Sequence, residues 1–541
     1  MSARPLTFDD LRRRRWELLA LTSVGAFMSP LDGAITSVAL PVISPDLGLS
    51  FSASMWVQAV YLLVTAVLLI PLGRLADRRG RVRFYLLGIA VYCTGSLLCA
   101  LSMSGAWLIS SRALQGVGSA LLGATAAAIV TAVFPPQERG RALGINVMAV
   151  YLGLSVGPPL GGFLTDAFGW QSIFLINVPI GAFVFAWGWR LLPRDEGARV
   201  GAPAGPAGPG AAAPAAPAAP SSRPQAPAQR PDVAGTALLG AFLIALLVPL
   251  TFAPQWGWIG ARSVVLLLLA VATLVAFVLV ERRAADPVLD LDLLLHNRLF
   301  AAANSAALLN YMALYAISIL TAVFLEVVQD RSASLTGWIM LSQPIMQAAL
   351  APLAGRLSDR VGSRVLATVG MLLTATGMAL LGSMPADAGL PRVIASLAVV
   401  GVGLASFSAP NTSAVMGSVR RDQLSLAGAF LATMRVTGMA LSVAILGGIA
   451  ASQLGRLGGR LIFSHGKGDG LGALGAQAVA DFAHGYRSAM YTGAAQAVLG
   501  ALVSLTRGAH DPSAPAGPAT AGPAPVGPAP AGPPASASGD A

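Results

Sequence analysis

The chain has 541 residues, 55% of them hydrophobic and only 11% charged, against roughly 25% charged in soluble domains. A mean hydropathy of +0.70 excludes a string of soluble domains. The net charge of +11 would suit nucleic acid by size alone. Its distribution excludes that class, because most of the Lys and Arg fall in alternate loops between apolar runs, the positive-inside bias of membrane proteins.

The apolar runs fall at about 17–40, 53–72, 84–104, 107–132, 141–164, 172–192, 233–253, 263–281, 300–327, 336–355, 365–384, 392–416, 426–450 and 486–506. Each is long enough to span a bilayer, and continuous helices satisfy their own backbone polar groups there. Fourteen spans put both termini on one side, which the arginine bias makes cytoplasmic. The expected organisation is a cytoplasmic N-terminus (1–16), six spans (17–193) and a cytoplasmic linker (194–231). Two inserted spans (232–283), six further spans (284–507) and a tail (508–541) follow. The linker and tail are Pro, Ala and Gly, with too few large apolar residues to form a core, and are expected to be disordered. Trp256 and Trp258, near the turn of the inserted pair, are expected as interfacial anchors. A glycine-rich stretch at about 451–485 reads as a long external loop carrying a short helix around Ala476–Phe482.

In chain order, the first polar landmark is Asp32, inside span one. A charge at the bilayer centre costs roughly 2.5–3.5 kcal/mol on insertion scales, so it is a functional candidate by default. Next comes the hinge Gly73-Arg-Leu-Ala-Asp-Arg-Arg-Gly-Arg-Val-Arg83, which returns as Gly355-Arg-Leu-Ser-Asp-Arg-Val-Gly-Ser-Arg364. Repetition at identical spacing implies two halves built from one membrane unit, the architecture of secondary transporters. In these hinges Gly73, Asp77, Arg78, Gly80 and Arg81, with Gly355, Asp359 and Arg360, are expected to form a conformational latch. The glycines would allow a tight turn and close helix approach, and the carboxylate would pair with arginines or cap a helix. Arg112 lies inside span four, in Arg112-Ala-Leu-Gln-Gly-Val-Gly118. In span five Gly153, Gly157 and Gly161 recur every four residues on one face, beside Pro158, Pro159 and Gly162, where another backbone can approach. Glu326 is placed at the outer end of span nine, facing water. Arg435 is a third intramembrane charge, nearer a helix end.

Other chemistry finds no support. Cys93 and Cys99 share one span on different faces and imply no disulfide framework. Lys467 is followed by glycine, so there is no phosphate-binding Gly-x-x-x-x-Gly-Lys-Ser/Thr loop. The four histidines have no metal-ligand spacing and no nucleophile elbow is present. Neither an enzyme nor a cofactor is expected.

Together these strings resemble the major facilitator superfamily, in its fourteen-span drug:proton antiporter branch, over roughly residues 15–450. The resemblance implies an all-α polytopic membrane protein in the plasma membrane, with two six-helix bundles plus two inserted helices. It implies roles in proton coupling or substrate binding for Asp32, Arg112, Glu326 and Arg435, and an antiporter motif in Gly153–Gly162. Two departures, Ala34 and Ser37 near Asp32 and Glu326 where relatives often carry glutamine, bear on the substrate. The expected function is proton-driven export of small hydrophobic or cationic compounds by a monomer, with protons, substrate and lipid as its partners. Uptake by proton symport or facilitated diffusion on the same fold is the alternative.

Overall fold

A computed structural model describes residues 14–135, 138–191, 232–257, 259–284, 291–419, 424–462 and 472–507. The expected linker at 194–231, the tail at 508–541 and Trp258 lie outside these residues, as do the side chains of Arg78 and Asp359. Among the described residues the regular structure is entirely helical. The first half runs through α1 (Arg15–Asp46), α2 (Phe51–Arg79), α3 (Arg81–Ala100), α4 (Gly105–Val133) and α5 (Arg139–Phe168), ending in the short α6 (Ser172–Leu175) and α7 (Asn177–Leu191). The inserted pair is α8 (Val233–Trp256) and α9 (Ala261–Glu281). The second half begins at α10 (Leu291–His296) and α11 (Arg298–Val323), which runs on into a π-helical turn (Phe324–Val328). It continues as α12 (Ala333–Met340), α13 (Ser342–Val361), α14 (Ser363–Gly382), α15 (Leu390–Gly417), α16 (Leu424–Leu461) and α17 (Gly472–Leu505).

Thirteen of the described helical segments are long and apolar enough to cross a membrane. The remaining expected span, 336–355, is interrupted at Leu341, where α12 ends and α13 begins. The lipid-facing character is plainest on α9, which leaves Val265, Leu268, Val271, Val275 and Leu279 exposed. On a water-soluble protein such a surface would aggregate; against acyl chains it is the ordinary outer face. The chain is therefore a multi-pass membrane protein.

The stretch expected as a long external loop is mostly helix. α16 runs to Leu461 and α17 starts at Gly472, so only about ten residues separate two extended spans. Alanines and single glycines, which read as loop by composition, continue these helices because packing outweighs propensity. Phe482 of that extension is fully buried, its ring 5.5 Å from Phe51 at the start of α2.

The face carrying the two hinges is called here the hinge face, and the opposite one the far face. Gly80 (φ 110°) joins α2 to α3, and Gly362 (φ 87°), at the same place in the second copy, joins α13 to α14. Both adopt the left-handed backbone that side chains with a Cβ resist. At the far face the halves are pressed together. A Cβ on Gly162 would lie 2.2 Å from the carbonyl oxygen of Ala333, and one on Gly337 would lie 2.2 Å from that of Pro158. The Ser334 amide also donates to the Asp166 carboxylate at 2.9 Å. At the hinge face, Gly144, Gly355 and Gly417 meet nothing within 4 Å. Helix α8 lies along the seam between α2 and α16. Its Phe252 stacks on Trp56 at 6.0 Å, and the Leu250 carbonyl would touch a Cβ on Gly448 at 2.4 Å. Trp256 stacks on Phe252 at 5.3 Å.

Candidate functional site

Asp32 and Arg112 are brought together. Their side chains are 1% and 0% exposed and form a salt bridge through Oδ2 and Nη1. The pair does not stand alone. Gln115 Nε2 donates to Asp32 Oδ1 at 2.8 Å, and Asn177 Nδ2 donates to the same oxygen at 3.1 Å. Arg112 Nη1 also donates to Gln115 Oε1 at 2.6 Å, Nη2 to Gln58 Oε1 at 3.1 Å, and Nε to the Val57 carbonyl at 3.0 Å. The guanidinium lies 4.4 Å from the centre of the Tyr61 ring. Both charges are thus paired and hydrogen-bonded, the condition for keeping ions in a low-dielectric interior.

Each member has a local cause. Gln115 is three residues beyond Arg112, on the same face of α4. Asn177 opens α7 where the chain turns at Ile176, so its side chain reaches into the bundle. Gln58 Nε2 donates to the Gly33 carbonyl at 2.9 Å, tying α2 to α1 beside Asp32. Tyr315 of the second half also reaches this point, with its hydroxyl 3.0 Å from where a Gly33 Cβ would stand.

The glycines of α5 pack against the helix that carries Asp32. A Cβ on Gly153 would lie 2.5 Å from the Phe27 carbonyl, on Gly157 2.5 Å from Ala34 Cβ, and on Gly161 2.9 Å from Ile35 Cα. Gly162, on the next face, meets Ala333 of the second half instead. One helix therefore touches both the helix that carries Asp32 and the far-face seal. Pro158 and Pro159 sit inside a continuous α5.

Arg435 is not part of the Asp32 cluster. It lies over the Tyr311 ring at 4.9 Å, with Tyr151 of α5 in electrostatic reach and Ser408 and Gln347 beside that tyrosine. Glu326 differs from expectation. It sits on the π-helical turn, partly buried, with Oε1 buried and without a partner among the described residues. Its electrostatic neighbour is Asp166 of the first half. The extra residue in the π turn rotates it away from water and toward the far-face seal.

In the first hinge Asp77 accepts from Arg81 Nε at 2.5 Å, and Arg81 Nη1 donates to the Ala128 carbonyl of α4 at 3.1 Å. The leading glycines make no close approach, contrary to expectation. Gly73 would meet only Ala124 Cβ at 3.4 Å, and Gly355 nothing. Arg360 is exposed. The glycines seven residues further on, Gly80 and Gly362, provide the turn.

Gln58, Tyr61, Gln115, Asn177 and Tyr315 were not singled out by sequence. Gln115 lies inside the span-four string, and for Gln115 and Asn177 alike a polar amide within an apolar run was the available signal. Arg507, beyond the last span, was also missed. It is 1% exposed, donates only to Asn411 Oδ1, and leaves Nε and Nη1 unpaired among the described residues. Burial pulls its pKa down to about 10.

A polytopic helical chain with two hinge repeats and a buried ion pair between helices belongs to the class of secondary transporters. The profile of the Major Facilitator Superfamily matches residues 22–280 and 303–534, and the chain belongs to that family. It is 32% identical over 450 residues to the riboflavin transporter RibZ of Clostridioides difficile, covering 82% of this chain and 90% of that one. It is 31% identical over 443 residues to the multidrug resistance protein Stp of Mycobacterium tuberculosis, covering 81% and 77%. The crystal structure of a bacterial homolog of the human lysosomal transporter Spinster, inward-facing and unoccupied, superposes with a TM-score of 0.61 at 17% identity. It covers 91% of this chain and 96% of that one, and shows the shared fold. The chain is a transporter and not an enzyme.

Proposed function

We propose that this transporter is a proton-coupled antiporter exporting small, largely apolar organic compounds across the plasma membrane, acting as a monomer with its hinge face in the cytoplasm. The observation that carries the reading is the Asp32–Arg112 pair, held by Gln115 and Asn177 on a helix clasped by the α5 glycines. Protonating Asp32 removes the charge that Arg112, Gln115 and Asn177 hold, and weakens the contact of α1 with α4 and α7. The movement of α1 passes through the close backbone contacts to α5, and from α5 to Ala333 and Gly337 across the halves. One proton site and the far-face seal then share a bistable element. A proton moving down 100 mV releases roughly 2.3 kcal/mol, enough for about a fifty-fold gradient of a neutral compound.

Kinship to a protein named for multidrug resistance supports export. Uptake by symport or facilitated diffusion is the second reading, favoured only by kinship to a protein named for riboflavin transport. Acid-loaded inverted vesicles separate them. Export predicts that adding a transported compound alkalinises the lumen; no pH change, or acidification, sinks the antiport reading.

A further inference from the structure

Arg435 is a permanent cation well inside α16, within the membrane-crossing segment Ala427–Leu454. An arginine at such a depth normally has a carboxylate beside it. Among the described residues none forms an ion pair with it, and its neighbours are neutral groups that can donate hydrogen bonds. Tyr311 offers its ring face at 4.9 Å, and Tyr151, Gln347 and Ser408 complete the surround. Arg435 is a partly exposed residue although it lies within the membrane-crossing segment.

The Asp32 and Arg435 centres thus differ in kind. Asp32 has Arg112 on one oxygen and two amides on the other, and is 1% exposed. It offers no free negative charge to a cation. Arg435 offers an uncompensated positive charge between α5 of the first half and α11 of the second. Tyr311 is four residues before Tyr315, which reaches the Asp32 cluster at Gly33, so one aromatic face of α11 runs between the two centres.

We propose that Arg435, with Tyr311, Tyr151, Gln347 and Ser408, is an anion-binding subsite of the transport pathway that takes planar aromatic compounds bearing a carboxylate or phenolate. The ring system lies along the tyrosines and the ionised oxygen accepts from the guanidinium and the neighbouring hydroxyls. The assignment deepens the export reading, on which its place in the pathway rests, and turns the charge preference from cationic toward anionic compounds.

Binding to the purified full-length chain in lipid nanodiscs tests it, using fluorescein and rhodamine 123, which share a xanthene ring and carry opposite charge. Polarisation at pH 8, corrected with empty nanodiscs, is expected to give fluorescein about tenfold tighter binding or better. Arg435→Gln should erase that preference by weakening fluorescein alone, and Arg435→Lys should retain most of it. Gln347→Glu, which leaves Arg435 in place and adds a carboxylate to the subsite, should shift selectivity toward rhodamine 123. Fluorescein binding no tighter than rhodamine 123, absence of binding included, overturns the proposal, as does a preference that survives Arg435→Gln. Because the readout is equilibrium binding, its failure leaves export untouched. A chain that binds fluorescein but carries no compound against a proton gradient contradicts export and leaves the subsite standing.

Discussion

Arg112, Arg435 and Arg507 have three different environments, and stability separates them. Arg112 is neutralised by Asp32 and uses every nitrogen, so Arg112→Leu leaves a buried carboxylate unpaired. Breaking such a pair costs about 3–5 kcal/mol, and thermal unfolding in detergent should show a drop of many degrees or failure to express. Arg435→Gln strands no carboxylate and should unfold near the wild-type midpoint. Arg507 has burial working against it. With its folded pKa down at about 10 and a higher one unfolded, the unfolded chain holds more protons between those values. Stability therefore rises with pH from about 10 upward, and at neutral pH the folded chain carries the cost of a poorly paired ion. Arg507→Met should raise the unfolding midpoint, as replacing buried ions by apolar groups often does by about 1–4 kcal/mol. An Arg507→Met midpoint below wild type would show that the Asn411 bond outweighs desolvation.

At the scale of single helices, α5 is the element whose sequence was most legible. Four-residue glycine spacing announced a close approach, and the approach is to α1 opposite Leu31–Ile35, with Gly162 turned toward the other half. Gly157→Leu should leave the protein in the membrane at normal levels and abolish export, because α1 and α5 cannot close around a leucine. Efflux at wild-type rate from that variant would reduce the stripe to ordinary packing. The hinges were legible as repeats but not in detail. Gly73 and Gly355, the leading residues of each copy, approach nothing closely; the turn falls on Gly80 and Gly362, where φ is positive. Gly362→Ala has open space around it yet a strained backbone, and should cost about 1–3 kcal/mol. Gly355→Ala, in a helix with equal space, should be neutral or slightly stabilising. The reverse order in unfolding midpoints would mean that the first glycine serves a conformation closed at the hinge face. Glu326 shows why the rest was hidden. A π turn shifts the register by one residue, which no hydrophobic period signals, and so moves a carboxylate from water toward Asp166.

For the whole molecule, the positions of apolar runs carried the architecture, since among the described residues thirteen helices meet the length and apolarity a bilayer requires. What composition could not carry was the cross-chain network. Asp32 and Asn177 are distant in sequence and meet only because α1, α4 and α7 pack around one point. The same limit hid the course of α8, which by sequence was an inserted span and in the fold lies along the seam between α2 and α16. The far-face seal, the α5 contacts and the Asp32 cluster form one continuous path, and proton coupling through Asp32 is the claim on which the account turns. It is tested by measuring proton flux together with efflux of one neutral dye in inverted vesicles containing Asp32→Asn or Glu326→Gln protein. The account predicts that Asp32→Asn loses both dye accumulation and the linked proton movement, whereas Glu326→Gln keeps both. Retention of uphill dye transport by Asp32→Asn alongside its loss in Glu326→Gln would contradict the account and move the proton site to the far face.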